Sequence, residues 1–557
     1  MSYFLGTNFG HHASTAVVDR TGQLCFAVEE GRLLGQKDCS AFPDLGLDMA
    51  VSTMGGRPRC WVDGWDWRNR LVHKGFGPVL RFGLADRQYL SVRLGKELSR
   101  LGQGIAGVSR HRQRLGRPLF AGHHRAHALS LLPWGLPEDA LVVVSDTTGE
   151  RESVTCYHWS GEKLLLLGRS DWPDSLGSVY HQAAYHLGFG GDRGPGKLMA
   201  LAGYGTPAWD HEFAGIADVD RAVVRIDRNN FPAQYWSGAW MEFARRRNGS
   251  GFGRYLADIH GGGRDGMDFA ASIQSWFTDR TVRLITSAIS VAADSELRVR
   301  ALGLAGGAAL NCQTNGAIFR LLPALDIERL VVSPWSNDAG TAVGAAVHGA
   351  LLAGVREFRC ESPMLGAVNA NSRASDADVS AAAAALLDGR VIGLISGGVE
   401  LGPRALGGRC ILADPRRGEL KARLNTIKGR PDFMPFAPIM PEGAWSEFVM
   451  DEPSSNMAWT VRVKPSTLQA FPGLWHPTAA TRAQLVSARS APLLDRVLGE
   501  FGRVSGTPLL LLTSLNGSGE PMLSDHALSL EVARRLRLDG CLTDDGWLPF
   551  GGPDVVT

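Results

Sequence analysis

Apolar runs separated by short polar turns open the chain and predict a series of consecutive strands. Residues 3–7, 15–19 and 23–28 are mainly apolar, and glycine-containing turns divide them. The same layout returns at residues 141–146, 153–159 and 163–167. Because each copy has a polar turn after its first strand, the pattern indicates an internal repeat of a three-strand unit.

The repeat limits the choice of fold. Two copies of a strand–turn–strand unit are what an actin and sugar-kinase type of fold uses to hold phosphate between two lobes. Two unrelated meanders in a mixed sheet are the alternative. The expected fold class is α/β, with a mixed α+β character.

Helical periodicity and buried apolar runs predict the later elements. Helices are expected at residues 84–101, 268–293, 340–352 and 376–387, and strands at residues 302–305, 330–333, 391–395 and 509–512. Residues 355–375 have no clear period and include Glu361-Ser362-Pro363, so we expect a linker there. The chain would then consist of a first domain at residues 1–355 and a second domain at residues 376–557.

A basic insertion that contains Trp61, Trp65 and Trp67 is predicted between the two repeats, at about residues 55–116. Residues 68–117 carry twelve Lys or Arg against two acids, Asp86 and Glu97. Such a charge run usually forms the solvated face of a helix. A lid, or a contact surface for an acceptor or a partner subunit, is the alternative.

Composition narrows the classes of function. A chain of 557 residues, 44% of them hydrophobic, is long enough for two or more packed domains. Its formal net charge of +2 gives no bulk electrostatic argument for binding nucleic acid or a membrane surface. No signal-peptide pattern opens the sequence, and no apolar run approaches the roughly 18 residues that span a bilayer, so a cytoplasmic protein is expected. Eight cysteines without a CxxC pair predict reduced, buried thiols.

Two histidines suggest a metal site. If residues 121–131 are helical, His123 and His127 lie four residues apart and face the same way, so they can share one metal ion. Asp146, at the end of a predicted buried strand, and Asp338 are the best-placed carboxylates to complete the site. Two imidazoles with a carboxylate suit iron or zinc. The alternative is that the histidines are ordinary surface or core residues.

Three glycine-rich stretches are candidates for phosphate contact. Residues 191–205 form a turn that leads into a short helix and include Lys197, but the spacing is not that of a Walker motif. Gly306 and Gly307 follow a predicted strand and would let backbone N–H groups approach an anion or adenosine. Residues 397–409 combine glycines with Arg404, and more cations follow as far as Arg430, which suits polyphosphate. A basic surface helix would explain the charges but not the turn.

Together these motifs resemble the NodU/CmcH-type O-carbamoyltransferases, which modify hydroxyl groups of antibiotics, toxins and Nod factors. The resemblance covers nearly the whole chain and rests on motifs in one order, at residues 10–14, 28–32, 42–43, 123–128, 146–150, 196–199, 306–311, 338–340, 402–407 and 513–516. It implies a TsaD-like domain of the actin-like ATPase superfold, followed by a YrdC-like α/β domain.

The resemblance also implies roles for single residues. His123, His127, Asp146 and Asp338 match the family's metal ligands, usually of iron, so Fe²⁺ or another divalent transition metal is expected. His11 matches a histidine of the transfer site, while Gly306, Gly307 and Asn311 match the nucleotide-contacting loop. The residues expected around carbamoyl phosphate and ATP are Arg404, Lys428, Arg482 and Ser514, to which we add Lys197, Arg430 and Asn516 as cofactor contacts.

The sequence departs from the family pattern at three places. Met434 stands where many members have an arginine, so Arg430 would have to replace that phosphate cation. Thr147 and Thr148 alter a turn that usually contains Asp and Gly, and Leu515 replaces Phe. The last two changes are mild.

The implied reaction has two steps. In the second domain carbamoyl phosphate and ATP, with Mg²⁺, give carbamoyl-adenylate, and in the first domain the carbamoyl group passes to a hydroxyl group of a secondary metabolite, as in antibiotic tailoring. His11 is the expected proton acceptor. Tryptophans in two regions favour a large, partly apolar acceptor such as a macrolide or ansamycin, namely Trp61, Trp65, Trp67, Trp236 and Trp240. No nucleic acid or membrane partner is expected, and a homodimer is considered.

Other classes of protein share some of these features. A tRNA threonylcarbamoyl-adenosine enzyme would have both folds and a basic tRNA surface, which only the insertion offers. A non-haem iron oxygenase would use two histidines and a carboxylate, yet it has no use for an ATP lobe. A non-catalytic actin-like scaffold would not need the basic, glycine-rich second domain.

Overall fold

The computed structural model describes residues 2–66, 87–191, 193–228, 231, 263–366 and 372–550. Trp67, Trp236 and Trp240 lie outside the described residues, as do parts of the predicted basic insertion and of the predicted linker. All eight cysteines are described and are free thiols. Five of them are buried and three are half-buried, so the expected burial holds for five.

Two compact units make up the chain. One comprises Met1–Leu24, Ser40–Asp44 and Met54–Arg359, and the other comprises Cys25–Cys39, Leu45–Thr53 and Cys360–Thr557. We call them the first unit and the second unit. The prediction assigns every residue before 355 to one domain, whereas here two N-terminal segments belong to the second unit.

The first five-stranded sheet has the order β3-β2-β1-β4-β5. Its strands are β1 (Tyr3–Asn8), β2 (Ser14–Asp19), β3 (Leu24–Glu29), β4 (Cys60–Asp63) and β5 (Leu119–Phe120). β1 pairs antiparallel with β2 and parallel with β4, and β4 pairs parallel with β5. Every residue of β1 is buried, which suits a strand that is covered on both faces of the sheet.

A second five-stranded sheet repeats this topology. Its strands are β6 (Ala140–Ser145), β7 (Glu152–Trp159), β8 (Leu164–Asp171), β11 (Ala301–Ala305) and β12 (Arg329–Val332), while β9 (Ala217–Asp220) and β10 (Val223–Ile226) form a separate hairpin. The order is β12-β11-β6-β7-β8. β6, β7 and β8 are antiparallel neighbours, and β11 pairs parallel with both β6 and β12. The identical order of the two sheets confirms the internal repeat and the α/β fold class.

Helices connect and cover the strands of both units. In chain order they are α1 (Glu30–Leu34), α2 (Asp44–Met54), α3 (Arg87–Leu115), α4 (His123–Leu129), α5 (Leu176–His186), α6 (Gly194–Ala202), α7 (Asp210–Ala214), α8 (Arg264–Asp294), α9 (Cys312–Leu321), α10 (Gly340–Leu352), α11 (Asp376–Leu387), α12 (Glu419–Lys428), α13 (Trp445–Phe448), α14 (Pro465–Ala470), α15 (Pro492–Ser505) and α16 (His526–Arg535). Short 3₁₀ helices lie at Leu132–Trp134, Gly307–Leu310, Leu322–Leu325 and Pro472–Leu474. Among the helices of the described ranges, none is both long and apolar enough to cross a membrane.

The second unit is built on a seven-stranded sheet with the order β18-β15-β19-β14-β13-β20-β21. Its strands are β13 (Ile392–Ile395), β14 (Arg409–Ala413), β15 (Ala437–Pro441), β18 (Gln484–Val486), β19 (Leu510–Ser514), β20 (Gly540–Thr543) and β21 (Gly546–Pro549), and β16 (Val461–Arg462) pairs with β17 (Ala480–Thr481) outside it. β13 and β14 are fully buried, so they form the centre of this unit.

The predicted elements differ from the observed ones mainly at their ends. α10 and α11 have the predicted bounds, because small residues and a Ser375 capping box mark them clearly. The helix predicted at 84–101, whose first three residues lie outside the described ranges, continues to Leu115, since no residue stops it before Gly116, whose φ of +88° suits only glycine well. The helix that carries His123 is shorter than predicted and begins after Gly122.

α10 packs unusually close to its neighbours in the first unit. It lies against β1, β2 and α4. A Cβ atom on Gly344 would lie only 1.7 Å from the backbone oxygen of Ala126, and one on Gly6 would lie 2.0 Å from the oxygen of Ala342. Glycine is therefore required at both contacts. Because Ala126 lies between His123 and His127, this contact fixes the depth of both imidazoles.

We expect Gly344→Ala to destabilise the protein by about 1–3 kcal/mol, because the methyl group must push α10 and α4 apart. The free energy of unfolding in urea, compared with that of the wild type, measures the effect. Gly102→Ala is the control: a Cβ on this helical glycine of α3 meets nothing within 4 Å, so helix propensity should leave stability unchanged or raise it by about 1 kcal/mol. Equal effects of the two substitutions would contradict the packing account.

Candidate functional site

Four side chains of the first unit converge on one point. They are His123, His127, Asp146 and Asp338, and their ligand atoms all lie within 4.8 Å of one another. The two Nε2 atoms are 3.2 Å apart. Asp146 Oδ2 lies 3.5 Å from Nε2 of His123 and 3.4 Å from that of His127, and Asp338 Oδ1 lies 3.8 and 3.6 Å from the same atoms. The structure thus brings together all four predicted metal ligands.

The fold explains why these residues meet. His123 and His127 lie one turn apart on α4, so both imidazoles face the same side. Asp146 follows β6 directly, and Asp338 lies in the turn between β12 and α10. Since β6 and β12 are both parallel neighbours of β11, their carboxyl ends lie at the same edge of the sheet. The carboxylates therefore come from two strand ends and the imidazoles from one helix.

Burial and mutual contact determine the charge of the cluster. Burial and the neighbouring His127 lower the pKa of His123. For His127, burial opposes the charged form, but hydrogen bonds to Asp146 and Asp338 outweigh it and raise the pKa to about 9. Burial would raise the pKa of both carboxyl groups, but the two histidines instead hold that of Asp146 well below its usual range and that of Asp338 at about 2. At neutral pH the cluster therefore contains two carboxylates and one imidazolium.

The donor set fits a divalent transition metal. Two imidazole nitrogens and two carboxylate oxygens suit Fe²⁺ or Zn²⁺. Within the described ranges, neither Nδ1 of these histidines has a hydrogen-bond partner, although metal-bound imidazoles usually donate from that atom. Packing must therefore orient the rings. A metal role for the four residues stays a prediction that their geometry supports.

Trp65 packs directly on one of the imidazoles. Its ring is stacked on that of His123, with centroids 3.8 Å apart and an interplanar angle of 28°. The indole Nε1 donates to Oδ1 of Asn8 at 2.7 Å, and Asn8 Nδ2 donates to the backbone oxygens of His11 and His12 at 2.9 and 3.0 Å. Trp65 thus links His123 to the loop that carries His11. The side chain of His11 is half-buried, with its ring 4.3 Å from that of His12.

The two described tryptophans of the predicted group, Trp61 and Trp65, do not support the sequence-based interpretation of a large, partly apolar acceptor. Trp61 and Trp65 are both 1% exposed, and Trp61 Nε1 donates to Oγ1 of Thr7 at 3.0 Å. Thr7 in turn donates to Oδ2 of Asp63 at 2.7 Å. Both rings are thus core residues, and Trp65 alone is seen to contact the four clustered residues, through His123. The burial of these two rings was not predictable because sequence alone does not separate an exposed aromatic residue from a buried one, and the nature of the acceptor stays a prediction.

The predicted nucleotide loop adjoins the four clustered residues. Gly306 has φ +86°, and a Cβ on it would lie 2.3 Å from the oxygen of Ser145. A Cβ on Gly307 would lie 3.2 Å from Oδ1 of Asp146. The small residues therefore let the loop backbone approach the end of β6 and its carboxylate. Asn311 ends the loop and caps α9 by accepting a hydrogen bond from the N–H of Thr314 at 3.1 Å.

A buried amide network, absent from the sequence-based predictions, holds Asn311. Gln274 on α8 donates to Asn311 Oδ1 at 3.2 Å and accepts from Asn311 Nδ2 at 3.0 Å. Tyr180 donates to the same Gln274 at 2.7 Å, and burial raises the pKa of its phenol well above 10. Helical periodicity places Gln274 in α8 but gives no indication of its partners. Lys197, on α6, is half-buried with its Nζ 5.9 Å from the ring centroid of Phe189.

In the second unit a buried carboxylate shapes the glycine-rich turn. Oε1 of Glu400 accepts hydrogen bonds from the backbone N–H groups of four consecutive residues, 406–409, at 2.7–3.2 Å. Arg409 is fully buried and donates to five backbone oxygens, those of Ser396, Gly397, Gly408, Leu523 and Ser524. Arg404 lies on the turn that these two residues hold and is half-buried.

Three other predicted residues of the second unit meet at the end of β19. The Lys428 ammonium, 3% exposed, donates to the backbone oxygens of Ser514 and Asn516 and to Asn516 Oδ1, and it lies 3.3 Å from Ser514 Oγ. Ser514 Oγ also donates to Asn516 Oδ1 at 2.7 Å. Lys428 therefore holds this loop in place. Arg430 reaches Oγ1 of Thr513 at 3.5 Å, and Arg482, between β17 and β18, is half-buried.

Comparison with known proteins gives consistent matches along the chain. The chain matches the family models described as "Carbamoyltransferase N-terminus", at residues 83–347, and "Carbamoyltransferase C-terminus", at residues 383–548. It is 30% identical over 446 residues to Nodulation protein NolO of Bradyrhizobium diazoefficiens, covering 75% of this chain and 77% of the relative. It is 28% identical over 564 residues to Nodulation protein NolNO of Sinorhizobium fredii, and this match covers 95% of this chain and 78% of the relative. Among solved structures, HypF of T. kodakarensis is 12% identical, with a TM-score of 0.34 over 64% of this chain and 48% of that one.

We expect metal binding to release about one proton at pH 7.5. The raised pKa of His127, about 9, keeps its imidazole protonated at this pH, and a metal ion can bind the ring only after that proton leaves. Calorimetric titration of metal-free protein with Co²⁺, in buffers that differ in ionisation enthalpy, counts the protons. The release should decrease as the pH rises through about 9.

His124→Asn is the control for this titration. His124 neighbours the cluster on α4, but burial lowers its pKa well below 6.5, so it carries no proton to release. His127→Asn should lower the release, and His124→Asn should preserve it. A proton count near zero for the wild type would contradict the charge state derived from the geometry.

Proposed function

Because the chain belongs to the carbamoyltransferase family, we propose that it is an ATP-dependent O-carbamoyltransferase of secondary metabolites. In this proposal it converts carbamoyl phosphate and ATP to carbamoyl-adenylate and transfers the carbamoyl group to a hydroxyl group, as in antibiotic tailoring. The first unit would be the TsaD-like transfer domain and the second unit the YrdC-like adenylate-forming domain. We place the enzyme in the cytoplasm.

Adenylate formation is assigned to the second unit. Carbamoyl phosphate, ATP and water would give carbamoyl-adenylate, pyrophosphate and phosphate, with Mg²⁺ bound to the ATP. Arg404, Arg430 and Arg482 would neutralise the phosphate charge as it shifts. Lys428 would act chiefly by holding Ser514 and Asn516, since its ammonium already donates to that loop. Because Met434 stands where many members of the family have an arginine, Arg430 would have to supply that cation.

Carbamoyl transfer is assigned to the first unit. The backbone at Gly306 and Gly307 would hold the adenylate, and Asn311 would fix the end of that loop. A bound divalent transition metal, with Fe²⁺ as the first candidate, would supply Lewis-acid chemistry at His123, His127, Asp146 and Asp338. His11 would accept the proton of the acceptor hydroxyl, because imidazole is the side chain that most often serves as a general base near neutral pH. Closure of the site would protect the mixed anhydride from water.

One observation carries the proposal more than any other. The glycine loop suited to a nucleotide lies against Asp146, one of the four clustered ligand residues, with only 3.2 Å from a Cβ on Gly307 to Asp146 Oδ1. An adenylate held by the loop would therefore present its carbonyl group beside the cluster. This arrangement suits transfer from an adenylate better than an oxygenase or a scaffold.

We expect substitutions in the two units to separate the two half-reactions. Arg404→Ala should lower pyrophosphate release from ATP and carbamoyl phosphate by about 10²–10³-fold, as when one electrostatic donor is lost. His127→Asn should leave pyrophosphate release intact and stop carbamoyl transfer. Preformed carbamoyl-adenylate should restore product formation in Arg404→Ala but not in His127→Asn. Pyrophosphate release and carbamoylated product, assayed over a panel of polyketide and aminoglycoside alcohols, are the measurements.

A matched control is available on the same helix as Lys428. Arg423 pairs with Asp539 at 2.8 Å and is 38% exposed, so Arg423→Ala should change neither half-reaction. A wild-type protein that releases no pyrophosphate from these substrates would contradict the proposed function. Loss of both half-reactions in His127→Asn would instead require one composite site.

A further inference from the structure

Two N-terminal residues bind both sides of one glycine in the second unit. The N–H of Gly402 donates to Oε1 of Glu29 at 3.1 Å, and Nη2 of Arg32 donates to the oxygen of the same glycine. Arg32 also donates to Glu29 Oε1 through Nε at 3.0 Å and through Nη2 at 2.8 Å. The three residues thus form one closed set of charge-assisted hydrogen bonds. The chain separation between Arg32 and Gly402 is 370 residues.

The pair is buried, so its contacts are specific. Arg32 is 5% exposed and Glu29 is 12% exposed at the side chain. Two charged groups removed from water are costly unless geometry and hydrogen bonds compensate. Part of that compensation comes from the two charges themselves and from the peptide groups of Gly402. Both residues lie in Cys25–Cys39, the segment that belongs to the second unit, and the oxygen of Arg32 also accepts from the N–H of Ser524 at 3.1 Å.

Gly402 has a conformation that needs such support. Its φ of +92° lies outside the range that most residues adopt, and it comes two residues before Arg404. On the far side of Arg404, the Glu400 carboxylate fixes residues 406–409 through four backbone N–H groups. The turn that carries Arg404 is therefore anchored at both ends. Glu29 and Arg32 supply the anchor at Gly402.

We propose that Glu29 and Arg32 are positioning residues for Arg404 in adenylate formation. By fixing the peptide groups on either side of Gly402, they hold the Arg404 side chain where the phosphate of carbamoyl phosphate binds. This inference rests on the proposed function. It makes an N-terminal segment part of the carbamoyl phosphate site of the second unit, although neither residue touches the substrate.

Conservative substitutions in the full-length protein test this role. Arg32→Lys keeps the charge but loses the forked contact, and Glu29→Gln keeps an acceptor for Gly402 but loses the charge. Each should raise KM for carbamoyl phosphate by about 10-fold or more and change KM for ATP less than about 3-fold, because a misplaced cation mainly weakens binding of the group that it faces. Product formation from preformed carbamoyl-adenylate should stay at the wild-type rate.

A double-mutant cycle separates positioning from independent effects. If Arg32 acts through Arg404, then Arg32→Lys combined with Arg404→Ala should be no slower in adenylate formation than Arg404→Ala alone. Additive losses would overturn the proposal. Arg423→Lys, at the paired surface residue of the same unit, is the matched control and should leave all these quantities unchanged.

Other outcomes of these experiments would contradict the positioning role of Glu29 and Arg32. Equal increases in KM for carbamoyl phosphate and for ATP would show that the pair is merely structural and would overturn the inference. A loss of activity that is fully explained by a loss of folded protein, measured by thermal unfolding, would do the same. If Arg32→Lys does not fold, Glu29→Gln alone decides by the same criteria. An active wild type with unaltered variants contradicts this inference only, whereas an inactive wild type contradicts the proposed function.

Discussion

The candidate site of the first unit depends on holding two carboxylates and two imidazoles together in a largely buried position. Asp146 and Asp338 would repel each other there if nothing compensated their charge. His123 and His127 provide that compensation, and the two carboxylates in turn raise the pKa of His127 to about 9. The close contact of α10 with α4, which only glycine at 344 permits, sets the depth of the imidazoles. A divalent cation would satisfy all four ligand atoms at once.

In the proposed function the second unit must hold several cations in fixed positions for a polyphosphate. The glycines of its turn have no side chains that could fix the backbone, so buried charged residues hold the backbone by hydrogen bonds. Glu400 gathers the N–H groups of residues 406–409, and Arg409 holds five carbonyl groups around it. Lys428 does the same for the loop after β19. Preorganised loops of this kind lower the cost of placing a charged substrate.

Features that depend on local sequence patterns could be predicted, whereas contacts between residues far apart in the chain could not. The repeated strand–turn unit and the i, i+4 histidines depend on short periods, so the sequence predicts the duplicated sheet and the imidazole pair. Asp146 was predictable from its place at the end of a strand, and Asp338 from its place between a strand and a helix. No local signal marks the contacts between residues that are 37 to 373 positions apart. These contacts are the stacking of Trp65 on His123, the amide pair of Gln274 and Asn311, and the hydrogen bond from Gly402 to Glu29. The resemblance supplied the role of His11, which no spacing predicts.

The central claim is that the four clustered residues of the first unit hold one transition metal. X-ray absorption spectroscopy of the purified protein at the metal edge tests it most directly, because scattering from imidazole carbons identifies histidine ligands. The account predicts one metal per chain with two imidazole nitrogens and the remaining ligands oxygen, and loss of the imidazole signal in His123→Ala/His127→Ala. A stoichiometric metal without imidazole scattering, or a spectrum unchanged in the double variant, would contradict it.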